Sequence, residues 1–499
     1  MLHAVGMRDL ILVIRSLPRA GLEPVISLKR EQPVVNRLPA PSMHEEKVAP
    51  RQVVIPQRSL LYAWYVVGVL TVVYAFSFIS RQIFSLLVGP LRRDLHIGDT
   101  QVSLLIGFSF ALFYTFFGIA IGRLADTYSR RLIIAIGLIL WSGFTAGCGL
   151  ASTFTALLLL RMGVGVGEAA LSPAAYSLIT EYFPRDRLAT ALSVYSMGIY
   201  LGAGLAYLLG GLVVAYTSTQ ATWNIPLLRE IRPWQLILLL VGLPGIALTP
   251  LLLTIREPVP HGAARRHTTV PIRQVFSYIF ENRHTFLLHN VGFGLLSLSS
   301  YASGAWVPEF YRRNFHWSIG TIGVVYGSFV AVFGCIGIVS AGRVADYLRM
   351  RGRTNATLFV GVLIGLVWIP LNCLLYLAPS AAWATFWLVF GCVLAAAPFG
   401  VAAAAIQQMM PATMRAQASA VYLFSINIIG LGAGPTAVGV LTQYVFGRDD
   451  AVRYSLAIET SAACALAAVF LYRALKPFVT SLERLDSWNA RWASSVLDR

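Results

Sequence analysis

The chain has 499 residues, 57% of them hydrophobic and only 12% charged, with a formal net charge of +17. Soluble domains carry roughly 25% charged residues, so the composition excludes an ordinary globular protein and points to lipid. The basic excess does not signal nucleic acid, because no basic stretch is interleaved with aromatic residues as a nucleic-acid groove requires.

Residues 1–60 contain Pro18, Pro24, Pro33, Pro39, Pro41, Pro50 and Pro56, which break any long helix. A largely disordered cytoplasmic tail is expected there, with at most an interfacial helix from Met7 to Leu17. The short apolar stretch near the start lacks a small-residue cleavage site and does not read as a signal peptide. Met43 opens a more ordinary polar lead-in and is a candidate start of translation.

A hydrocarbon core of about 30 Å needs about 20 apolar helical residues. Twelve runs meet that need, near 62–88, 101–122, 132–152, 154–180, 189–216, 233–255, 285–308, 319–341, 355–377, 382–408, 417–445 and 455–475. The predicted organisation is an N-terminal six-helix bundle over 61–255, a cytoplasmic linker over 256–284, a C-terminal six-helix bundle over 285–476 and a cytoplasmic tail over 477–499. The linker carries Arg256, Arg265, Arg266, Arg273 and Arg283. With both ends in the cytoplasm, the inner loops hold nearly twice the Lys and Arg of the outer loops, so both termini are placed inside. The fold class is an all-α integral membrane protein, a multi-pass protein of the cytoplasmic (inner) membrane.

Gly122-Arg123-Leu124-Ala125-Asp126, followed by Arg130-Arg131, returns as Gly342-Arg343-Val344-Ala345-Asp346, followed by Arg349, Arg351 and Arg353. Both copies fall at matched positions after an apolar run, the mark of a duplicated, pseudo-symmetric protein. Gly122 and Gly342 suit close helix approach, while Asp126 and Asp346 can meet a helix N-terminus or a basic partner. Gly122, Asp126, Arg130, Arg131, Gly342 and Asp346 are therefore the candidate cytoplasmic gate.

Twelve helices with Gly-x-x-x-Asp-x-x-x-Arg-Arg between the second and third resemble the major facilitator superfamily over roughly residues 60–476. Tyr74, Ser77, Ser80-Arg81, the segment Pro90-Leu91-Arg92-Arg93-Asp94-Leu95 and the run Arg161-Met162-Gly163-Val164-Gly165-Val166-Gly167-Glu168-Ala169 are similar to the Spinster branch. The resemblance implies that the charged joints lock one conformation and open in the other. It also implies export of lysolipids or sphingoid phosphates. The branch's first-span pair is Asp-Arg, whereas this chain has Ser80-Arg81, so a carboxylate expected to carry the coupling proton or balance the arginine is missing.

Arg81, Arg161 and Glu168 lie well inside apolar helices, where each costs about 2.5–3.5 kcal/mol, so they should line a polar cavity or pair with one another. Arg161 and Glu168 share a face but stand about 10 Å apart along the axis, and Ser172 extends that face. Tyr74, Ser77 and Arg81 form a polar stripe on the first span that can oppose Glu168. Glu168, the first half's remaining membrane carboxylate, is the candidate proton carrier, since burial disfavours its charge while a neighbouring arginine favours it. A permanent salt bridge to Arg81 or Arg161 is the structural alternative. Arg81 suits bidentate recognition of phosphate or carboxylate. Tyr74, Ser77, Arg81, Arg161, Ser172 and Asn427 are the candidate substrate-binding residues.

The second half supplies His289 and Asn290, Glu309 beside Arg312 and Arg313 at an outer gate or rim, Gln407, Gln408, Asn427 and Glu459. His289 near a helix end reads more readily as a structural residue than as a ligand. Glycines 198, 202, 204, 210 and 211, with Gly430, Gly432, Gly434 and Pro435, offer packing surfaces on the fifth and eleventh spans. Cys148, Cys335, Cys373, Cys392 and Cys464 lie widely spaced in apolar runs without metal-ligand spacing, so neither disulfides nor a metal is expected.

The expected function is secondary active transport by alternating access, proton-coupled, of an amphipathic or organic anion. A transporter for a soluble aromatic or sugar acid is the alternative, and a non-transporting receptor or scaffold is the rival from another class. No HExxH, GxSxG or GxxxxGK[ST] occurs, so neither an enzyme nor an ATP-driven pump is expected, and no cofactor. The partners expected are the small-molecule or lipid-like substrate, protons and the bilayer, with the chain as a monomer.

Overall fold

The computed structural model describes residues 60–183, 185–217, 222–225, 229–257, 272–411 and 414–497. The expectations for residues 1–59, including the helix from Met7 to Leu17 and the start at Met43, lie outside the described residues, as do the side chains of Asp126 and its neighbours Arg123, Ala125 and Thr127.

Eleven helices are long and apolar enough to cross a membrane: Leu60–Leu86, Asp99–Gly122, Arg130–Cys148, Phe154–Tyr182, Val194–Thr217, Pro233–Leu253, Ile319–Met350, Ala356–Tyr376, Ala381–Met409, Gln417–Phe446 and Asp449–Trp488. Between the sixth and eighth spans lies Arg283–Phe315, a helix of 33 residues. It is long enough to cross, but Arg283, Arg312 and Arg313 at its ends and His289, Asn290 and several serines in its body lower its hydropathy. With it the chain is a twelve-span, all-α membrane protein, apart from a hairpin pairing Trp223–Ile225 with Arg229–Ile231 between the fifth and sixth spans.

Both Gly-Arg-x-Ala-Asp boxes ride on helices rather than in loops: the first within Ser109–Thr127, the second within Ile319–Met350. The eighth helix stops only where Gly352 takes φ of +87°, a left-handed turn that caps it by bonding Gly352 N–H to Arg349 O at 2.9 Å. We call the face bearing the boxes the basic face and the opposite one the far face.

The last helix, Val452–Leu497, continues through Pro477 well past the expected end of its span. What the sequence presents as a tail is therefore helical here. It leans on the linker helix Ile272–Glu281: Arg484 donates to Glu281 O at 2.8 Å, and Trp488 stands edge-on to Tyr278 at 6.3 Å.

Large apolar side chains such as Leu159, Ile136, Leu366 and Leu466 point outward, as lipid contact allows. The two halves meet where the fifth span crosses the eighth and the second crosses the eleventh. A Cβ at Gly327 would lie 2.7 Å from Gly204 O and 2.8 Å from Leu208 N, and one at Gly211 would lie 2.9 Å from Gly323 Cα. Only the missing side chains let these backbones approach. On the other crossing, the π-helical turns Leu104–Phe108 and Asn427–Ala433 face each other, with Gly107 set against Leu431 O.

Candidate functional site

The fourth span is broken in its middle. Pro173 has no N–H to give to Ala169 O, and the helix Phe154–Glu168 ends there before Leu171–Tyr182 resumes. Glu168 therefore sits at an interrupted helix end inside the membrane, 1% exposed. A helix C-terminus is a poor place for a carboxylate, and the first span supplies the compensation. Arg81, 5% exposed, pairs with Glu168 Oε1, and Ser77 Oγ donates to the same oxygen at 2.7 Å. Glu168 Oε2 and Arg81 Nε have no partner among the described residues. The pair is satisfied on one side and open on the other.

Aromatic residues wall this cluster. The Arg81 guanidinium lies 4.4 Å from the Phe110 ring centroid, 4.7 Å from Phe78 and 5.3 Å from Tyr114. Tyr74, one turn before Ser77, stacks on Tyr195 at 4.5 Å. Ser172 sits within electrostatic reach of the Tyr74, Tyr114 and Tyr195 hydroxyls. Ser80, where the resemblance implies an acid, turns back on its own helix and donates to Phe76 O at 3.3 Å. From the second half Tyr301 comes within electrostatic reach of Arg81 and Glu168. It stood out in the sequence only as one aromatic among many.

The structure separates Arg161 from Glu168. Arg161 is fully buried, donates through Nε to Leu105 O at 3.2 Å, and lies 4.1 Å from the Phe84 centroid and 5.3 Å from Phe110. Its two terminal nitrogens lack acceptors among the described residues. Asn427 opens the π-helical turn of the eleventh span, 6% exposed, and no hydrogen bond among the described residues joins it to the Arg81 cluster. His289 is wedged by two contacts of 3.1 Å, from Nδ1 to Asn290 Oδ1 and from Nε2 to Ala402 O.

The bonds between the halves gather toward the far face. Arg313 grips Asp99 with Nη1 at 2.7 Å and Nη2 at 2.8 Å while its Nε holds Glu309 at 2.7 Å. Arg312 makes a second fork on Glu309 at 2.9 and 2.6 Å. Arg92 reaches Asp449 at 2.9 Å and Asp99 at 3.2 Å, and Thr100 N–H donates to Gln443 at 3.0 Å. Deeper in the interface Tyr207 donates to Gly304 O at 2.6 Å. The contact of Glu309 with Arg312 and Arg313 follows from helical spacing. The parts of Asp99, Arg92 and Asp449 carry no such local signal.

At the basic face the boxes stand apart. Arg130 pairs with Glu181 at 2.7 Å and gives its N–H to Glu257 at 2.7 Å, and Arg131 donates to Ile255 O at 3.0 Å, all within the first half and the start of the linker. A Cβ at Gly342 would meet nothing within 4 Å, and one at Gly122 only Pro173 at 3.7 Å. Asp346 is exposed and has no ion pair among the described residues. The close approach expected of the two glycines is thus not made in this conformation, which is joined at the far face. Among the described residues no cluster of His, Cys, Asp and Glu gathers to hold a metal.

Two helical halves bonded at one face, with ionised groups buried at their centre, define a multi-pass transporter that works by alternating access. The sequence profile of the Major Facilitator Superfamily matches residues 70–480, and the chain belongs to that family. It is a Spinster-like member and not an enzyme. It is 29% identical over 384 residues to an MFS-type efflux pump of Mycolicibacterium smegmatis, covering 76% of this chain and 85% of the relative. It is 26% identical over 403 residues to Protein spinster homolog 1 of Xenopus tropicalis, covering 76% and 73%. Among solved structures it superposes with a TM-score of 0.72 on a bacterial homologue of the human lysosomal transporter Spinster, inward-facing and unoccupied, at 26% identity over 85% of this chain and 99% of that one. A D-xylose–proton symporter, 14% identical with a TM-score of 0.60, shares the fold.

Proposed function

We propose that this transporter couples movement of an amphipathic or organic anion to protons, with Arg81 recognising the anionic group and Glu168 exchanging the proton. The observation that carries this reading is the half-satisfied Arg81–Glu168 pair: Ser77 and Arg81 share one carboxylate oxygen, and the other has no donor among the described residues. An arriving anion competes with Glu168 for Arg81, and a carboxylate deprived of its counter-charge in a buried site takes up a proton. Tyr74, Arg161, Ser172 and Asn427 line the route, and the aromatic wall around Arg81 accepts an apolar body behind a charged head. The resemblance to the Spinster branch implies a lysolipid-like substrate.

The basic face is the cytoplasmic one by its excess of Lys and Arg, in a bacterial inner membrane with both termini inside. Lobes over 61–255 and 285–476 rock about the linker 256–284. The gate of Gly122, Asp126, Arg130, Arg131, Gly342 and Asp346 closes when the far face opens. The test is flux in proteoliposomes of the full chain, with a labelled lysophospholipid and an aromatic carboxylate as separate solutes. Glu168→Gln should abolish pH-driven transport while sparing counterflow. Proton dependence unchanged in that variant would overturn the coupling role, and flux of the aromatic carboxylate alone would reassign the substrate.

A further inference from the structure

A second carboxylic acid is sealed inside the other half of the molecule. Glu459 lies two turns into the last helix, 7% exposed, and neither of its carboxylate oxygens has a partner among the described residues. Val452 and Leu456, seven and three residues before it and so on its side of the helix, are both fully buried in an apolar cluster. The polar groups nearby are committed elsewhere. Thr460 Oγ1 donates to Leu456 O at 2.6 Å, Ser455 and Thr442 bond to each other at 2.8 Å, and Ser303 bonds to the Tyr376 hydroxyl at 2.7 Å. Arg453, the nearest arginine on the helix, is spent on Tyr376 O and Ala378 O at 3.2 and 2.7 Å.

Among the described residues, the titratable groups within electrostatic reach of Glu459 are Tyr376 from the ninth span and Cys464 on its own helix. From the seventh span, Ser299 reaches the adjoining residue of this helix and donates to Thr460 O at 3.1 Å. An ionised carboxylate in such a place costs several kcal/mol with nothing to offset it. A hard metal cation would need about six oxygen ligands, and among the described residues no group of three or more His, Cys, Asp and Glu side chains gathers to supply them.

We propose that Glu459 is a second proton-binding site, in the second half and separate from Arg81–Glu168, loaded while the far face is closed and emptied when it opens. The helix geometry links the two events. Glu459 stands about 10 Å along the axis from the helix start at Val452. The segment just before that start joins the far-face bonds: Asp449 pairs with Arg92, and Asp450 O accepts from Asn314 at 2.8 Å. When the Arg92–Asp449 pair between the halves parts, the segment leading into the last helix is released from the first half. Water then reaches the acid, which gives its proton to the far side. Rising pH at the far face therefore favours the open state.

The inference is independent of which solute is moved, and so is its test on the full chain in nanodiscs. Infrared difference spectra at neutral pH should show the carbonyl stretch of an un-ionised carboxylic acid that disappears in Glu459→Gln and shifts in Glu459→Asp. Spin-label distances across the far face, measured in a Glu168→Gln background, should lengthen as pH rises and lose that dependence in Glu168→Gln/Glu459→Gln. Absence of the un-ionised band, its persistence in Glu459→Gln, or pH-driven opening unchanged in the double variant would overturn the proposal. Sodium-dependent thermal stabilisation lost in Glu459→Gln would overturn it in favour of a metal-cation site.

Discussion

Arg313 near the end of the seventh span holds both carboxylate oxygens of Asp99 at the start of the second, bridging the two halves across a sequence separation of 214. Both side chains are nearly fully buried, at 4% and 2% exposure. The same guanidinium also holds Glu309, so one arginine ties two acids together at the sealed far face, with Arg312 and Arg92 adding the remaining counter-charge.

Removing one member of a buried charged pair costs about 3–5 kcal/mol, because the other is left uncompensated. Arg313→Ala takes from Asp99 its two-bond partner, leaving it only Arg92 at 3.2 Å, while Glu309 keeps Arg312, and the loss is felt only in the closed arrangement, since opening returns Asp99 to water. The variant should populate the far-face-open state, read as faster labelling of single cysteines placed beside Thr100 and Gln443. Labelling at the wild-type rate would show that the bridge does not set the balance.

The Arg81–Glu168 pair can be a strut or a working part, and its substitution pattern distinguishes them. Arg81→Ala should lower thermal stability by about 3–5 kcal/mol through the stranded Glu168. The double variant Arg81→Met/Glu168→Leu should recover much of that loss, because apolar replacement of a whole buried pair is often neutral or stabilising. Transport should stay abolished in the recovered protein. Recovery of flux along with stability would reduce the pair to a structural role.

Arg161 sets desolvation against aromatic contact. Its cation–π contacts with Phe84 and Phe110 are worth about 2 kcal/mol when desolvated, and one hydrogen bond to Leu105 O adds about 1.5–3 kcal/mol. A buried cation with two nitrogens unsatisfied among the described residues costs several kcal/mol, about what those contacts return, whereas a methionine of similar length fills the site without that cost. Arg161→Met is expected to raise the melting temperature of the purified protein and to reduce its transport. A lowered melting temperature would mean that the guanidinium holds the second and fourth spans together.

Hydropathy made all twelve spans legible, because their runs of apolar residues are interrupted by few charges. The seventh span was the faintest, since its ends and serines dilute the signal, yet it bears Tyr301, Glu309 and Arg313. The intramembrane charges were legible for the same reason that they are rare. Which arginine Glu168 meets was not, because Arg81 and Arg161 lie on different helices and the choice depends on how the first and fourth spans pack. The helix break at Pro173, which turns Glu168 toward the first span, was written in the sequence as one proline. The far-face bridge was hidden because Asp99 and Arg313 share no local spacing.

The glycines of the two faces should answer to substitution in opposite ways. At the far end of the interface Gly211 faces Gly323, and an added Cβ would fall 2.9 Å from the Gly323 Cα and 3.0 Å from Ile319 O. Backbone on both sides leaves no flexible side chain to yield, so Gly211→Val must push the fifth and eighth spans apart. The variant should expose the far face and melt lower. Gly342 stands free, with nothing within 4 Å of an added Cβ, so Gly342→Val should leave the stability of this conformation within about 0.5 kcal/mol of the parent. Its effect belongs to the other conformation, in which the basic face closes and helices come together around the box. Gly342→Val should therefore slow transport while the melting temperature holds, and combined with Arg313→Ala it should reverse part of the far-face opening. If Gly342→Val transported at the parental rate, the second box would have no part in closure.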